Sequence, residues 1–529
     1  MEVLPKERTL ELRKKHIGEA CRLWYPTRPL KIVRAKGQYM YDEEGNAYLD
    51  CINNVCHVGH SHPRVVEAAA KQMAIVNTNN RFLHDTLVQY AERLTSTMPE
   101  KLSVCFLVNS GSEANDLAIQ LAQKYTGHKD VITLDHAYHG HLQTVLAISP
   151  YKHKLLGKDI KKKWVHVVSP PDMYRGQHCK AENPGEAFAN DVKDAIDKAH
   201  AGGRQIAAFF AESLQSCGGQ LVYPPGYFRN VFRHVHEAGG ICVADEVQVG
   251  FGRVGEQWWG FQTQGSDIIP DIVTMGKPMG NGHPIAAVVT TPEIAASMGR
   301  GGYQYFNTYG GNPVSCAVGM AVLDIIRDEK LRENATVVGD FLRKELLQMK
   351  QRYEVVGDVR GLGMFIGIEL VRSKATKEPA ADEATFIVEF LRDKFILLST
   401  EGPYSNVLKF KPPMCFSMDD ARHLLACLSE ALQEIESLSA KALETVAEKR
   451  RFPGQAIHRL APKPLDIVPV LDVGDVLLGE SSSASSPSSA SDDSGLDLSP
   501  TRATKDVDLR DADTKLTDRP KKRQKIESN

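Results

Sequence analysis

Four short apolar runs, at residues 104–108, 206–211, 241–244 and 272–275, restrict the fold more than any other feature of the chain. Each ends in a polar or glycine-bearing turn, and helical stretches lie between them. Runs this short, apolar on both faces, read as strands of a parallel sheet covered by helices on either side. The alternation extends over residues 76–325, which are expected to form a large α/β domain with a mostly parallel sheet wrapped by helices. Residues 1–75 mix short strands and turns. There Gln38-Tyr39-Met40-Tyr41-Asp42, followed by Glu44-Gly45-Asn46, reads as a hairpin. Residues 326–440 return to an α+β pattern with a strand near 364–368, so a small α+β domain is expected from both chain ends.

The remainder reads differently. Residues 441–479 form a polar helical or linker extension, and residues 480–529 a serine-rich, then acidic tail ending in Lys521-Lys522-Arg523-Gln524-Lys525. So few large apolar side chains cannot offset the entropy of ordering, so the tail is expected to be disordered. Its basic end reads as a solvated tail or as a nuclear-localisation or anion-binding patch. Over the whole chain the charge is balanced, 64 basic against 66 acidic side chains, and neither a nucleic-acid partner nor a membrane is implied. The ten cysteines lack paired spacing, which points to a reducing compartment such as the cytosol. Arg8, Arg13, Lys14 and Lys15 suggest a mitochondrial presequence, but Glu2, Glu7 and Glu11 argue against one. Histidines 57, 60, 62, 136, 139 and 141 lack a carboxylate or cysteine set at ligand spacing, and no metal is expected.

Chemistry-bearing residues follow the apolar runs. Ser110-Gly111-Ser112 stands between a strand and a helix carrying Leu117, Leu121 and Tyr125 on one stripe. This arrangement reads equally as a phosphate cradle at a helix N-terminus or as a capping box of Ser110 with Glu113. Tyr138 follows the run 131–134 and is either a packing residue or a stacking surface for a flat heterocycle. Asp245 closes a very apolar strand, where a carboxylate needs a partner: it either pairs with a pyridinium N–H or caps the next turn. Gln248, three residues on, could donate to a ring oxygen. Lys277 follows another buried run and precedes a glycine-rich turn; desolvation there would free its amine to attack an aldehyde. Thr308, in a glycine-rich turn, offers a further phosphate donor.

Taken in order, these motifs resemble the fold-type I, class-III aminotransferase family from about residue 20 to 440. The resemblance implies pyridoxal 5′-phosphate (PLP) as cofactor, with Lys277 forming the covalent link to it and Asp245 partnering its ring nitrogen. Gln248 would meet the ring oxygen, Tyr138 would stack on the ring, and Gly111 and Ser112 would hold the phosphate. Thr308 would serve the phosphate of a neighbouring subunit, so a homodimer with shared active sites, alone or as a dimer of dimers, is implied. Family members are often mitochondrial. Where members that bind an α-carboxylate commonly carry an arginine before Pro-Pro, this chain has Lys409-Phe410-Lys411-Pro412-Pro413. Two lysines are point charges rather than a planar fork and suit a phosphate. They read either so or as surface lysines of a strand edge. The segments 12–18, 53–60, 77–84 and 410–416 resemble the family's phospho-lyase branch, whose members eliminate phosphate from O-phosphoethanolamine or 5-phosphohydroxy-L-lysine. Residues 212–217, 276–279 and the long basic-ended tail are more similar to the phosphoethanolamine members. Lys409, Lys411 and Arg81 are then the candidate substrate-phosphate groups. The competing expectations are an ω-aminotransferase of the alanine–glyoxylate type and a catalytically retired binding scaffold; intact Lys277 and Asp245 argue against the second.

Overall fold

The computed structural model describes residues 3–157 and 160–437. The regions 441–479 and 480–529, and the basic cluster within them, lie outside these residues.

The four apolar runs become strands of one seven-stranded sheet. Its order is Val104–Val108, Ala286–Thr290, Ile272–Met275, Ile241–Asp245, Ile206–Glu212, Asp130–Leu134 and Val165–Val168. Only Ala286–Thr290 runs antiparallel to its neighbours. Successive residues of the inner strands serve two different cores. Phe209, Ala211, Cys242, Ala244, Val273 and Met275 face one, with the helices Pro184–Ala201 and Tyr227–Glu237. Ala208, Phe210, Val243 and Ile272 face the other, where the helix Gly111–Thr126 packs through Leu117, Ala118 and Leu121. Such double coverage is why these strands carry no polar alternation. Tyr125, expected on the same helical stripe, is exposed instead: it lies in the last turn, beyond the sheet-facing stretch.

The chain ends build two smaller sheets. Tyr39–Asp42 and Ala47–Asp50 form the expected hairpin, with Tyr41 opposite Ala47 and Gly45 at φ +86° in the turn. Ala47–Asp50 also pairs in parallel with Ile396–Leu397, so the first and last thirds of the described chain share a sheet. The other small sheet takes Val356–Leu362, Phe365–Ser373, Val407–Phe410 and Ser399–Glu401, with Glu378–Pro379 at its side.

In the central sheet, Glu212 lies opposite Asp245 and Asp245 opposite Thr274. Parallel strands place their carboxyl ends on one edge, where α/β sheets put their sites. Asp245 and the turn that carries Lys277 meet there.

Candidate active site

A cavity of ≈ 110 Å³ at this edge is lined by Gly111, Ser112, Asn115, Tyr138, His139, Gly140, Asp245, Val247, Gln248 and Lys277. Six of the residues singled out in the sequence therefore meet in one place: Gly111, Ser112, Tyr138, Asp245, Gln248 and Lys277.

Asp245 is buried and held by three donors. Asn115 Nδ2 and His139 Nδ1 each lie 2.8 Å from Oδ2, and the Val247 N–H donates to Oδ1 at 3.0 Å. Because an ionised carboxylate only accepts, the His139 proton sits on Nδ1. His139 in turn packs edge-on against Phe210, 4.8 Å between ring centroids. Asn115 Oδ1 is buried without a partner among the described residues. Across the cavity, Lys277 makes no hydrogen bond or ion pair with the described residues. Burial pushes its ammonium below the ordinary lysine range, and the charges of Asp245, Cys217 and Glu212 oppose that shift.

At the helix N-terminus, Ser110 Oγ accepts the Glu113 N–H at 3.2 Å. The Glu113 carboxylate, however, takes the Asn109 N–H at 2.7 Å rather than that of Ser110, so only half of the expected capping box forms. Ser110 is exposed and outside the cavity lining. Ser112 Oγ accepts the His141 N–H at 3.0 Å and keeps its own O–H as a donor. Gly140, at φ +136°, is required here: a Cβ would lie 2.4 Å from Ser112 Oγ. Sequence reasoning passed over Asn115, Gly140 and Val247, and weighed His139 only as a metal ligand, not as a partner of Asp245. Asn115 was within reach, since it lies one helical turn after Gly111 and shares its face.

Gln248 Oε1 receives Lys411 Nζ at 2.6 Å and Asn54 Nδ2 at 2.8 Å. Lys411 is 2% exposed and also donates to Ser216 Oγ at 2.8 Å. No carboxylate pairs with it among the described residues. Desolvation, then the charges of Lys409 and Lys277, push it well below the ordinary lysine range. Lys409 sits two residues earlier, on the strand Val407–Phe410, but pairs with Glu401, whose other oxygen accepts the Tyr151 hydroxyl at 2.9 Å. Tyr151 meets the Tyr138 ring edge-on at 6.0 Å. Arg81 and Thr308 are both exposed and outside the cavity lining; the Arg81 guanidinium lies 4.3 Å from the Phe306 ring centroid.

Elsewhere, His236, Cys242 and Asp271 bring their ligand atoms within 4.8 Å of one another. Asp271 Oδ2 already accepts from His236 Nε2 and the Cys242 N–H, and Lys101 Nζ lies 3.8 Å from Oδ1. The cluster reads as an ion-pair network. All ten cysteines are free thiols. Among the described residues no helix is long and apolar enough to cross a membrane.

An unpaired, desolvated lysine, a buried carboxylate braced by three donors and a Gly-Ser turn at a helix N-terminus fit PLP, and with this sheet they define a PLP-dependent enzyme of fold type I. The comparisons agree. The family model of the class-III aminotransferases matches residues 23–432, and the chain belongs to that family. It is 53% identical over 472 residues to "Alanine--glyoxylate aminotransferase 2-like" of Drosophila melanogaster, covering 85% of this chain and 95% of the relative. It is 45% identical over 442 residues to "Ethanolamine-phosphate phospho-lyase homolog 1" of Caenorhabditis elegans, covering 82% and 94%. A solved phospholyase from Arthrobacter in complex with phosphoethanolamine superposes with TM-score 0.77 at 39% identity, covering 82% of this chain and all of that one.

Proposed function

We propose that this enzyme eliminates phosphate from O-phosphoethanolamine, giving acetaldehyde, ammonia and phosphate. The observation that carries the reading is Lys411. A buried cation without a counter-ion is costly, and a substrate phosphate would supply the missing charge. Its position beside Gln248 would put that charge next to the cofactor cavity. The name of the nematode relative and the ligand of the Arthrobacter structure support the same substrate.

Bound in the cavity, PLP supplies an electron sink for charge developing on the amine-bearing carbon. Asp245, fixed by Asn115 and His139, would keep the ring nitrogen protonated. Gly111 and Ser112 would hold the cofactor's phosphate, Tyr138 would pack on its ring, and Gln248 would donate to its ring oxygen. Lys277 is poised as the base, since burial lowers its ammonium's hold on the proton. As it takes the proton from the amine-bearing carbon, the C–H pair becomes a carbon–carbon double bond. The neighbouring C–O bond breaks and phosphate leaves with its electron pair. Lys411, with one N–H beyond those used by Gln248 and Ser216, would hold the departing anion, with Lys409 beside it. The released vinyl amine takes up water and yields acetaldehyde and ammonia.

The test is phosphate release from phosphoethanolamine by the purified holoenzyme with no keto acid present, run in parallel with 5-phosphohydroxy-L-lysine. Equal amounts of phosphate and acetaldehyde are expected, with phosphoethanolamine the better substrate. No phosphate without an added keto acid overturns the reading. It would favour the second one, an ω-aminotransferase of the kind named for the Drosophila relative. Exposed Phe306 and Tyr309 beside Thr308 in sequence, and exposed Phe82 and Leu83 beside Arg81, whose guanidinium lies over the Phe306 ring, support a homodimer with shared sites; sedimentation of the holoenzyme tests it.

A further inference from the structure

We infer that Asn54 is a positioning residue that, acting with Lys411, fixes which end of the Gln248 amide faces the cofactor. Gln248 lines the cavity, yet its carbonyl oxygen is turned to protein and takes two donors, Lys411 Nζ and Asn54 Nδ2. Its Nε2 has no partner among the described residues. A side-chain amide offers one acceptor end and one donor end. With the acceptor end doubly occupied, only N–H groups remain to face a ring oxygen. Flipping the Gln248 amide alone would turn its N–H groups toward the Asn54 Nδ2 and Lys411 Nζ donors, so the pair favours the observed orientation.

The two donors form one unit. The Lys411 N–H donates to the Cys51 carbonyl at 2.9 Å, which ties the lysine's backbone to the loop that carries Asn54. That loop is stiff: Asp50 Oδ1 accepts the N–H groups of Ile52 and Asn53, each at 2.9 Å. Asn281, just past the Lys277 turn, grips its far end by accepting the Val58 N–H at 2.9 Å and donating to the Gly59 carbonyl at 2.8 Å. Asn54 itself is 7% exposed and neutral, so replacing it changes Gln248's surroundings without changing the charge. The charged groups around the cavity, Lys277, Asp245 and Lys411, remain in every variant used below.

A donor on the ring oxygen stabilises its negative charge and weakens its hold on a shared proton. Losing the alignment of Gln248 therefore moves the pH midpoint of the bound cofactor's visible absorbance upward. In the Asn54→Leu holoenzyme, which keeps the packing volume, the midpoint is expected to rise by about half a pH unit. The cofactor should leave about threefold faster on dialysis. Asn54→Ala should give the same direction, and it carries the test if the leucine variant fails to fold. In a Gln248→Ala background, replacing Asn54 should leave the midpoint where Gln248→Ala alone sets it. An unchanged midpoint in the single variants overturns the inference. So does the same shift recurring without Gln248, which would mark Asn54 as a loop-stabilising residue only. Neither readout depends on phosphate elimination, so the inference survives or fails separately from the proposed substrate.

Discussion

The cofactor cavity and the buried Lys411 beside it are built on opposite terms. Asp245 stands at the end of a central strand with three donors on its carboxylate, a closed and internally satisfied arrangement. Lys411 stands just past Val407–Phe410, a strand built by the chain's last third, with two neutral oxygens and no carboxylate. Four residues contribute to the first arrangement; the second leaves Lys411 with no carboxylate among the described residues, which is what the proposed substrate phosphate would supply. A group satisfied by protein is a fixture, while a buried charge left without its counter-ion marks the place where the protein expects one from outside.

The comparison breaks hardest at Lys277. Lys277→Ala should lower phosphate release by at least about 10³-fold, and borohydride treatment followed by peptide mapping should find no cofactor at that position. Asp245→Asn comes next: a loss of roughly 100-fold in kcat, with a changed visible spectrum, because the fixture itself is altered. Lys411→Met should raise KM for phosphoethanolamine by about ten- to a hundredfold, and because Lys411 is one of the two donors on Gln248 Oε1 it should also move the cofactor's absorbance midpoint upward, as Asn54→Leu does. A midpoint that moves while KM stays unchanged removes Lys411 from the phosphate site. Lys409→Ala should raise KM by only about threefold, since Glu401 already engages that ammonium; unchanged KM removes Lys409 from the phosphate site.

The smallest effect concerns stability. Burial raises the Glu212 carboxyl from 4.5 to about 7, with neighbouring Asp245 adding to the shift. The folded protein then holds a proton that the unfolded chain releases, so stability falls as pH rises from 4.5 to about 7. Glu246, also raised to about 7 by burial, contributes with the same sign. Glu212→Gln should flatten part of this slope in denaturant midpoints measured across that window.

The cofactor cavity was legible in the sequence because its parts are local. A strand, a turn and a helix start are each written within a few residues, and Asp245, Lys277, Gly111 and Tyr138 appear at such junctions. What escaped was long-range or side-chain-specific. The Asn54–Gln248 bond joins residues 194 apart in sequence, and no spacing rule announces it. The Lys409–Glu401 pair follows from a register, Ser399 opposite Lys409, that places Glu401 on the same face of the hairpin. Two lysines two residues apart looked equivalent in the sequence; a cross-strand carboxylate and a difference in burial separate them. The strands Val165–Val168 and Ala286–Thr290 were passed over, although Ser169-Pro170-Pro171 follows the first and Asn281-Gly282-His283-Pro284 precedes the second.

The pairing of Ala47–Asp50 with Ile396–Leu397 sets an order of events on the ribosome. The segments that carry Asp245 and Lys277 leave the exit tunnel long before Ile396 does, so the central sheet can assemble while the earliest hairpin still waits for its partner strand. Docking of that hairpin, and with it the arrival of Asn54 at Gln248, belongs to the final stage of synthesis. Truncation just before Ile396 should therefore yield a nascent chain whose amino-terminal hairpin is readily cleaved by protease while the middle of the chain is already protected.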